Sequence, residues 1–123
     1  MMSPSVSVCM PAYRHPHFVA RAIDSVFSQT FTDFEVIVTD DSDTDEVWEA
    51  LAPWHQDPRL IYFRNPSRLG SPRNWNKAMS LARSGLIKFL HHDDWLTDSS
   101  SLEYFVGVMQ SRQDIDFAFS AAN

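Results

Sequence analysis

The chain has 123 residues, with 10 Lys and Arg against 16 Asp and Glu, for a formal charge of −6. At 44% hydrophobic and 21% charged residues it has the composition of a globular chain and not of a disordered one. At this length, burial of roughly two thirds of the unfolded surface supplies a core without disulfides or structural zinc.

The single cysteine, Cys9, excludes a disulfide framework and any multi-cysteine metal site, and it suits a reducing compartment. Thinly scattered basic residues in an acidic chain argue against a nucleic-acid partner or an anionic membrane surface. No run approaches the ~18 to 20 apolar residues of a membrane span. The N-terminus lacks the basic-then-apolar layout of a signal peptide, so the chain reads as cytoplasmic or cytosol-facing.

The elements follow in chain order. Residues 6–10 form a β-rich apolar run. Pro16 then starts a helix that carries Phe18, Val19, Ala22, Ile23, Val26 and Phe27 at helical spacing. A second strand is expected over 34–39. A short helix follows, with Val47, Trp48 and Leu51 facing inward until Pro53 stops it. The third strand spans 60–63. The third helix has Ser71 as N-cap, Pro72 in its first turn, Trp75, Ala78, Met79 and Ala82 on one side, and Gly85 at its close. A fourth strand over 86–90 leads to a helix capped by Asp98 and Ser99, bearing Leu102, Phe105, Val106 and Met109. Residues 115–119 form a fifth strand.

No repeat, linker or composition shift divides residues 1–123, which reads as one domain. Strands alternating with helices predict an α/β fold, a Rossmann-like, mostly parallel sheet with helices on both faces. Runs such as VIV and LIYF are apolar at every position, as in strands covered on both faces.

In such sheets ligands gather beyond the carboxyl ends of the strands. The residues there are Pro11-Ala12-Tyr13-Arg14 after the first strand, Asp40 to Asp45 after the second, and His91-His92-Asp93-Asp94 after the fourth. Like charges about 4 Å apart repel by about 4 kcal/mol at an effective dielectric of 20, so the paired carboxylates are expected to hold a cation or to meet donors from a ligand. Vicinal aspartates suit Mg2+ or Mn2+, which completes its shell with water and diphosphate oxygens. Neither GxGxxG nor GxxxxGK[ST] is present, so metal would replace a glycine cradle at the phosphates. Tyr13 is placed to stack on a base, and a carboxylate such as Asp41 to accept its ring N–H, a pairing that favours uracil or thymine over purines.

Plainer readings stand beside these. Asp43, Asp45 and Glu46 suit the start of a helix, with Ser42 and Asp45 as a capping box. Asp40 can hydrogen-bond nearby backbone, Tyr13 can be an ordinary packed aromatic, and Arg73 can pair with an acid. His91 and His92 point to opposite faces of a strand and do not share an ion. Cys9 reads as a buried, inert thiol, and Trp48, Trp75 and the phenylalanines as core.

The segments VSVCMPAYR, AIDSVFSQTFTDFEVIVTDDSDTD and NPSRLGSPRNWNKAMSLARSGLIKFLHHDDWL, in this order and spacing, resemble the N-terminal, nucleotide-binding half of family 2 glycosyltransferases of the GT-A fold. The resemblance implies a site for a nucleotide-diphosphate-sugar donor of UDP or dTDP type, with inverting transfer to an acceptor it does not identify. It implies that Pro11 and Tyr13 line the base pocket, Asp41 accepts from the base, and Arg73 reaches the nucleotide. It also implies that Asp93 approaches the ribose and Asp94 ligates Mg2+ or Mn2+. The chain departs from the family pattern at Arg14 and Arg68, where Asn is common, and at Ser42, where Gly is common. Family members continue well beyond this length to supply the acceptor pocket and catalytic base. The acceptor half is therefore expected to be absent, no base is identified, and the apolar surface left open favours a homo-oligomer.

The alternative class is a non-catalytic module, either a sugar-nucleotide binder or a phospho-acceptor receiver domain. A receiver needs acids after the first strand, a lone Asp after the third and a Lys after the fifth. CMPAYR, YFRN and DFAFS provide none of these.

Overall fold

The computed structural model describes residues 3–91 and 95–111. Within them lie four strands, β1 (Val6–Ala12), β2 (Phe34–Asp40), β3 (Leu60–Arg64) and β4 (Ile87–Phe89). The helices are α1 (Pro16–Phe27), α2 (Glu46–Ala50), α3 (Ser71–Leu81) and α4 (Ser101–Ser111), with a 3-10 turn at Ala52–Trp54 after α2. All strand pairs are parallel, and the sheet order is β3-β2-β1-β4. The residues expected to form a fifth strand, 115–119, lie outside the described residues.

The period of two along β1 and β2 sorts their side chains between the two faces. Val6, Val8, Met10 and Ala12 join Phe34, Val36 and Val38 in the larger core, which is closed by Val19, Ala22, Ile23 and Val26 of α1, Val47 of α2, and Leu102, Phe105 and Val106 of α4. The opposite face carries Cys9 and Ile37 against Ala78 of α3, with Ile61, Ile87 and Phe89 around them. Helices thus cover both faces, as the alternation of elements predicts.

The second face also carries a polar seam that the sequence reading passed over. Glu35 is 1% exposed. Its carboxylate accepts from the Ser7 hydroxyl at 2.6 Å, from the Arg83 N–H at 2.7 Å and from the Arg83 Nε at 2.9 Å. Burial alone pushes this carboxyl up, but the bonds from Ser7 and Arg83 outweigh it and hold it below its ordinary value. The seam ties the segment after α3 to the middle of the sheet.

Several local expectations are corrected. β3 lies at the edge of the sheet, and all five of its residues are only half-buried, so LIYF is not a doubly covered strand. Trp48 is 41% exposed. In the five-residue α2, Val47 and Leu51 stand one turn apart on the inward side, which turns Trp48 outward to stack on His55 with ring centroids 3.6 Å apart. Phe18 and Met79 are likewise exposed, because Val19, Ala22, Ile23 and Val26 are the α1 residues that turn inward and Asn74 and Ala78 are those of α3. Gly70 is the N-cap of α3 in place of Ser71, and the helix ends at Leu81, ahead of Gly85, where Ala82 turns extended. The capping box is not formed: Asp45 is the N-cap of α2 with no side-chain capping bond, and Ser42 is engaged elsewhere.

Candidate functional site

The strand order reverses direction between β1 and β4, so the crevice for a ligand opens where those two strands end. A cleft of about 190 Å3 lies there, lined by Pro11, Ala12 and Tyr13 beyond β1, Asp41 beyond β2, Asn74 and Trp75 of α3, and His91 beyond β4. A second cleft of about 470 Å3 adjoins it, lined by Arg14, Ser42, Asp43, Arg64 and Asn65. Tyr13, Asp41 and Arg68 line both and form the wall between them.

The rim is built by extending the sheet's hydrogen bonding one step past the strands. The Asp41 N–H donates to the Ala12 carbonyl at 2.8 Å, and the Asn65 N–H donates to the Asp40 carbonyl at 2.9 Å. After Tyr13 the chain turns through two consecutive left-handed residues, Arg14 at φ 58° and His15 at φ 55°. Each such non-glycine residue costs ~1–2 kcal/mol. The turn is held by the Arg14 N–H donating to the Ser42 hydroxyl at 2.6 Å, which joins the loop after β1 to the loop after β2.

Asp41 is the most tightly held residue of the rim. It is 6% exposed, and its Oδ1 accepts from Asn65 Nδ2 at 3.0 Å and from the Leu69 N–H at 2.8 Å, while Oδ2 accepts from the Gly70 N–H at 2.9 Å. Burial pushes its carboxyl up, but the donors from Leu69, Asn65 and Gly70, with the charge of Arg68, prevail and hold it below the usual carboxylate range. Gly70 stands at φ 83°, a left-handed conformation that glycine adopts without cost, and this aims its N–H at the carboxylate.

Asp40 has a different task. It is fully buried and accepts from the Tyr62 hydroxyl at 2.5 Å and from the Ser42 N–H at 2.9 Å. Burial and this bond push the Tyr62 phenol well above its ordinary value. The protein's own N–H and O–H groups already compensate Asp40 and Asp41, so this vicinal pair does not require a cation, and Asp41 keeps one acceptor position open. Asp43 and Asp45 face arginines, Arg14 at 3.9 Å and Arg64 in a direct ion pair.

Of the residues singled out from the sequence, the fold brings Pro11, Tyr13 and Asp41 to one cleft. Arg73 is exposed in the first turn of α3 and is not among the residues lining either cleft. Asp93 and Asp94, the expected ribose and metal residues, lie outside the described residues. Among the described residues no three His, Cys, Asp or Glu side chains are grouped to hold a metal ion. Asp41, already met by three N–H donors, is an acceptor for one further hydrogen bond and not a free metal ligand.

Sequence reasoning missed Asn65 and Asn74, and it named Arg68 only as a departure from the family pattern and His91 only as a strand-end residue. Asn65 Nδ2 also donates to Asn74 Oδ1 at 2.8 Å, and Asn74 Nδ2 donates to the Thr39 carbonyl at 3.0 Å, a buried relay from β3 through α3 to β2. The available signal was position: Asn65 follows the third strand as Asp41 follows the second. Arg68 lays its guanidinium 4.2 Å from the Tyr13 ring centroid, and Arg14 lies 4.9 Å from the same ring. His91 meets Trp75 edge-on, with centroids 4.7 Å apart.

A parallel sheet of this order, with polar groups gathered at its switch point, defines a Rossmann-like α/β protein; a receiver domain has the order 2-1-3-4-5. The chain belongs to glycosyl transferase family 2, whose family model matches residues 7–121. It is 34% identical over 123 residues to an uncharacterized glycosyltransferase of Methanocaldococcus jannaschii, an alignment that covers 98% of this chain and 42% of that protein. Its fold is similar to that of S. aureus TarS in complex with UDP, at a TM-score of 0.79 and 23% identity, over 91% of this chain and 33% of TarS. It is also similar to a mannosyltransferase of Pyrobaculum calidifontis in complex with GDP-Man and Mn2+, at a TM-score of 0.77 and 22% identity, over 89% of this chain and 33% of the other. The chain thus spans less than half the length of these proteins, and its described part has the GT-A architecture of their N-terminal portion. No helix among the described residues is long and apolar enough to cross a membrane.

Proposed function

We propose that residues 1–123 form one donor-binding unit of an inverting glycosyltransferase that takes a UDP- or dTDP-sugar together with Mg2+ or Mn2+. The observation that carries this reading is the meeting of Pro11, Tyr13 and Asp41 at the switch-point cleft of a family 2 chain. The relatives in complex with UDP, and with GDP-Man and Mn2+, support a nucleotide-sugar site and a divalent ion.

In this reading Pro11 and Tyr13 flank the base, and Asp41 accepts one ring N–H through the acceptor position its three protein donors leave open. Arg73 approaches the nucleotide from the start of α3, and Asp93 bonds the ribose. Asp94 would hold the ion, which when bound supplies the charge that stabilises a leaving diphosphate. His91, at the end of β4 and on the cleft, stands two residues before Asp93, which favours this side of the cleft for the ribose and diphosphate. Transfer itself is proposed to draw its base and acceptor pocket from outside these residues. The setting is proposed to be cytosolic or cytosol-facing, since the chain's one cysteine, Cys9, is a buried free thiol.

The test is calorimetric titration of the chain with UDP, with and without Mn2+, and of Asp94→Ala under the same conditions. Metal-assisted UDP binding that Asp94→Ala loses, with an unchanged thermal melt, is the expected result. Equal affinity in the variant overturns the metal assignment, and failure of the unsubstituted chain to bind UDP overturns the donor-site reading.

A further inference from the structure

We propose that Arg68 is a specificity-determining residue of the donor site: its guanidinium, laid over the Tyr13 ring beside Asp41, donates to a base carbonyl adjacent to the ring N–H that Asp41 accepts. This rests on the donor-site reading above and goes beyond it by naming the group that reads the base edge.

The argument starts from what Asp41 can still accept. An ionised carboxylate offers about four acceptor positions. Asn65, Leu69 and Gly70 fill three of them, two on Oδ1 and one on Oδ2. One N–H can therefore be taken from a ligand, through Oδ2. Guanine presents two adjacent N–H donors on its pairing edge and would leave one without a partner. Cytosine and adenine present a ring nitrogen lone pair there, which a carboxylate repels. Uracil and thymine present one N–H between two carbonyls, which fits a single acceptor provided a donor stands beside it.

Arg68 is the donor that the geometry offers. It lines both clefts with Tyr13 and Asp41, and its guanidinium lies 4.2 Å from the Tyr13 ring centroid. The other arginines near the clefts are paired or stand outside their lining: Arg14 faces Asp43 at 3.9 Å, Arg64 is paired with Asp45, and Arg73 is not among the lining residues. The Arg68 side chain makes no hydrogen bond or ion pair among the described residues, so its five N–H donors are held over the ring and unspent. Arg68 is exposed, and its cation–π contact with Tyr13 keeps the guanidinium by the ring without consuming a donor, which leaves it to form a charge-assisted bond to a carbonyl oxygen.

The experiment compares UDP and CDP, each with Mn2+, by calorimetry on the full chain and on Arg68→Ala and Arg68→Lys. The two ligands share ribose and diphosphate and differ at the base edge. Loss of a charged hydrogen bond to O4, the uracil carbonyl that cytosine replaces with an amino group, predicts that Arg68→Ala weakens UDP binding by about tenfold or more while CDP changes little, so that the preference for UDP collapses. Arg68→Lys, which keeps the charge but not the planar fork, is expected to recover part of that preference. Equal losses for UDP and CDP in Arg68→Ala would make Arg68 a contact to a group the two share and overturn the inference, as would an unchanged preference. If the unsubstituted chain binds neither nucleotide, the donor-site reading falls and takes this inference with it; if it binds UDP and Arg68→Ala keeps the preference, only the inference falls.

Discussion

Asn65 Nδ2 stands 3.0 Å from Asp41 Oδ1, and this one buried bond joins the residue after β3 to the residue after β2. The same amide reaches Asn74 on α3, so a single side chain fixes the spacing of three elements around the cleft. Asn65→Ala removes donors from two buried acceptors at once. Each loss of a partner in a buried site costs about 1–3 kcal/mol. The variant is expected to unfold at lower urea with an unchanged m-value, and its Asp41 carboxyl to titrate at higher pH than in the parent, as read by carboxyl NMR. A parental urea midpoint would mean that the amide relay carries no stability.

Much of this architecture was legible in the sequence, because hydrophobic period is a local property. Of the five strands and four helices expected from the alternation of apolar runs with helical stripes, the four strands and four helices among the described residues stand in the expected order, and the rule that ligands sit beyond strand ends led to Pro11, Tyr13 and Asp41. What stayed hidden depends on partners far along the chain. Glu35, in the middle of an apolar strand, meets Ser7 and Arg83 only after the sheet has formed. Trp48 reads as core by its type and is turned outward by the shortness of α2. Asp40 and Asp41 are indistinguishable in sequence, and β-strand alternation with the Tyr62 hydroxyl on one side and the β3–α3 loop on the other gives them separate tasks.

The buried Glu35 predicts an acid-sensitive fold. Its folded pKa lies below the ordinary value of 4.5, so its charged form contributes stability above that pH, and the contribution is lost as pH falls through the lower folded value. Unfolding free energy measured from pH 7 downward is expected to drop below about pH 5. Glu35→Gln, which cannot titrate, is expected to be less stable at pH 7 and to show a shallower acid limb. A parallel acid limb in the variant would assign the pH dependence to other carboxylates.

Gly70 predicts a conformational effect separable from packing. A Cβ built there meets nothing within 4 Å, so Gly70→Ala has room, but it must occupy φ 83°. With ψ at 167° this is a region open essentially to glycine alone, and a residue with a Cβ there costs ~1–3 kcal/mol. The alanine variant is expected to lose that much stability, or to relax the turn and withdraw the Gly70 N–H from Asp41. Chemical denaturation together with the amide shift of residue 70 distinguishes these two outcomes, and no loss in either would show that the turn is not strained.

The two vicinal aspartates predict opposite phenotypes from one chemical change. Asp40→Asn replaces a fully buried acceptor whose oxygens receive the Tyr62 hydroxyl and the Ser42 N–H. The new NH2 group faces one of those donors, so the cost falls on stability, about 1–3 kcal/mol, with little change in UDP affinity per folded molecule. Asp41→Asn places an NH2 donor either at the protein's own N–H groups or at the position open to the base N–H. Its carboxylate form is the one the site sustains at neutral pH, because its pKa is held down, so the substitution removes a charge that is present and used. Asp41→Asn is therefore expected to weaken UDP more than CDP, reducing or reversing the preference between them. Paired thermal melts and calorimetric titrations of the two variants check the division. Comparable UDP loss in both, scaled to the folded fraction, would mean that the pair acts as one electrostatic unit and that the hydrogen-bond pattern does not separate their roles.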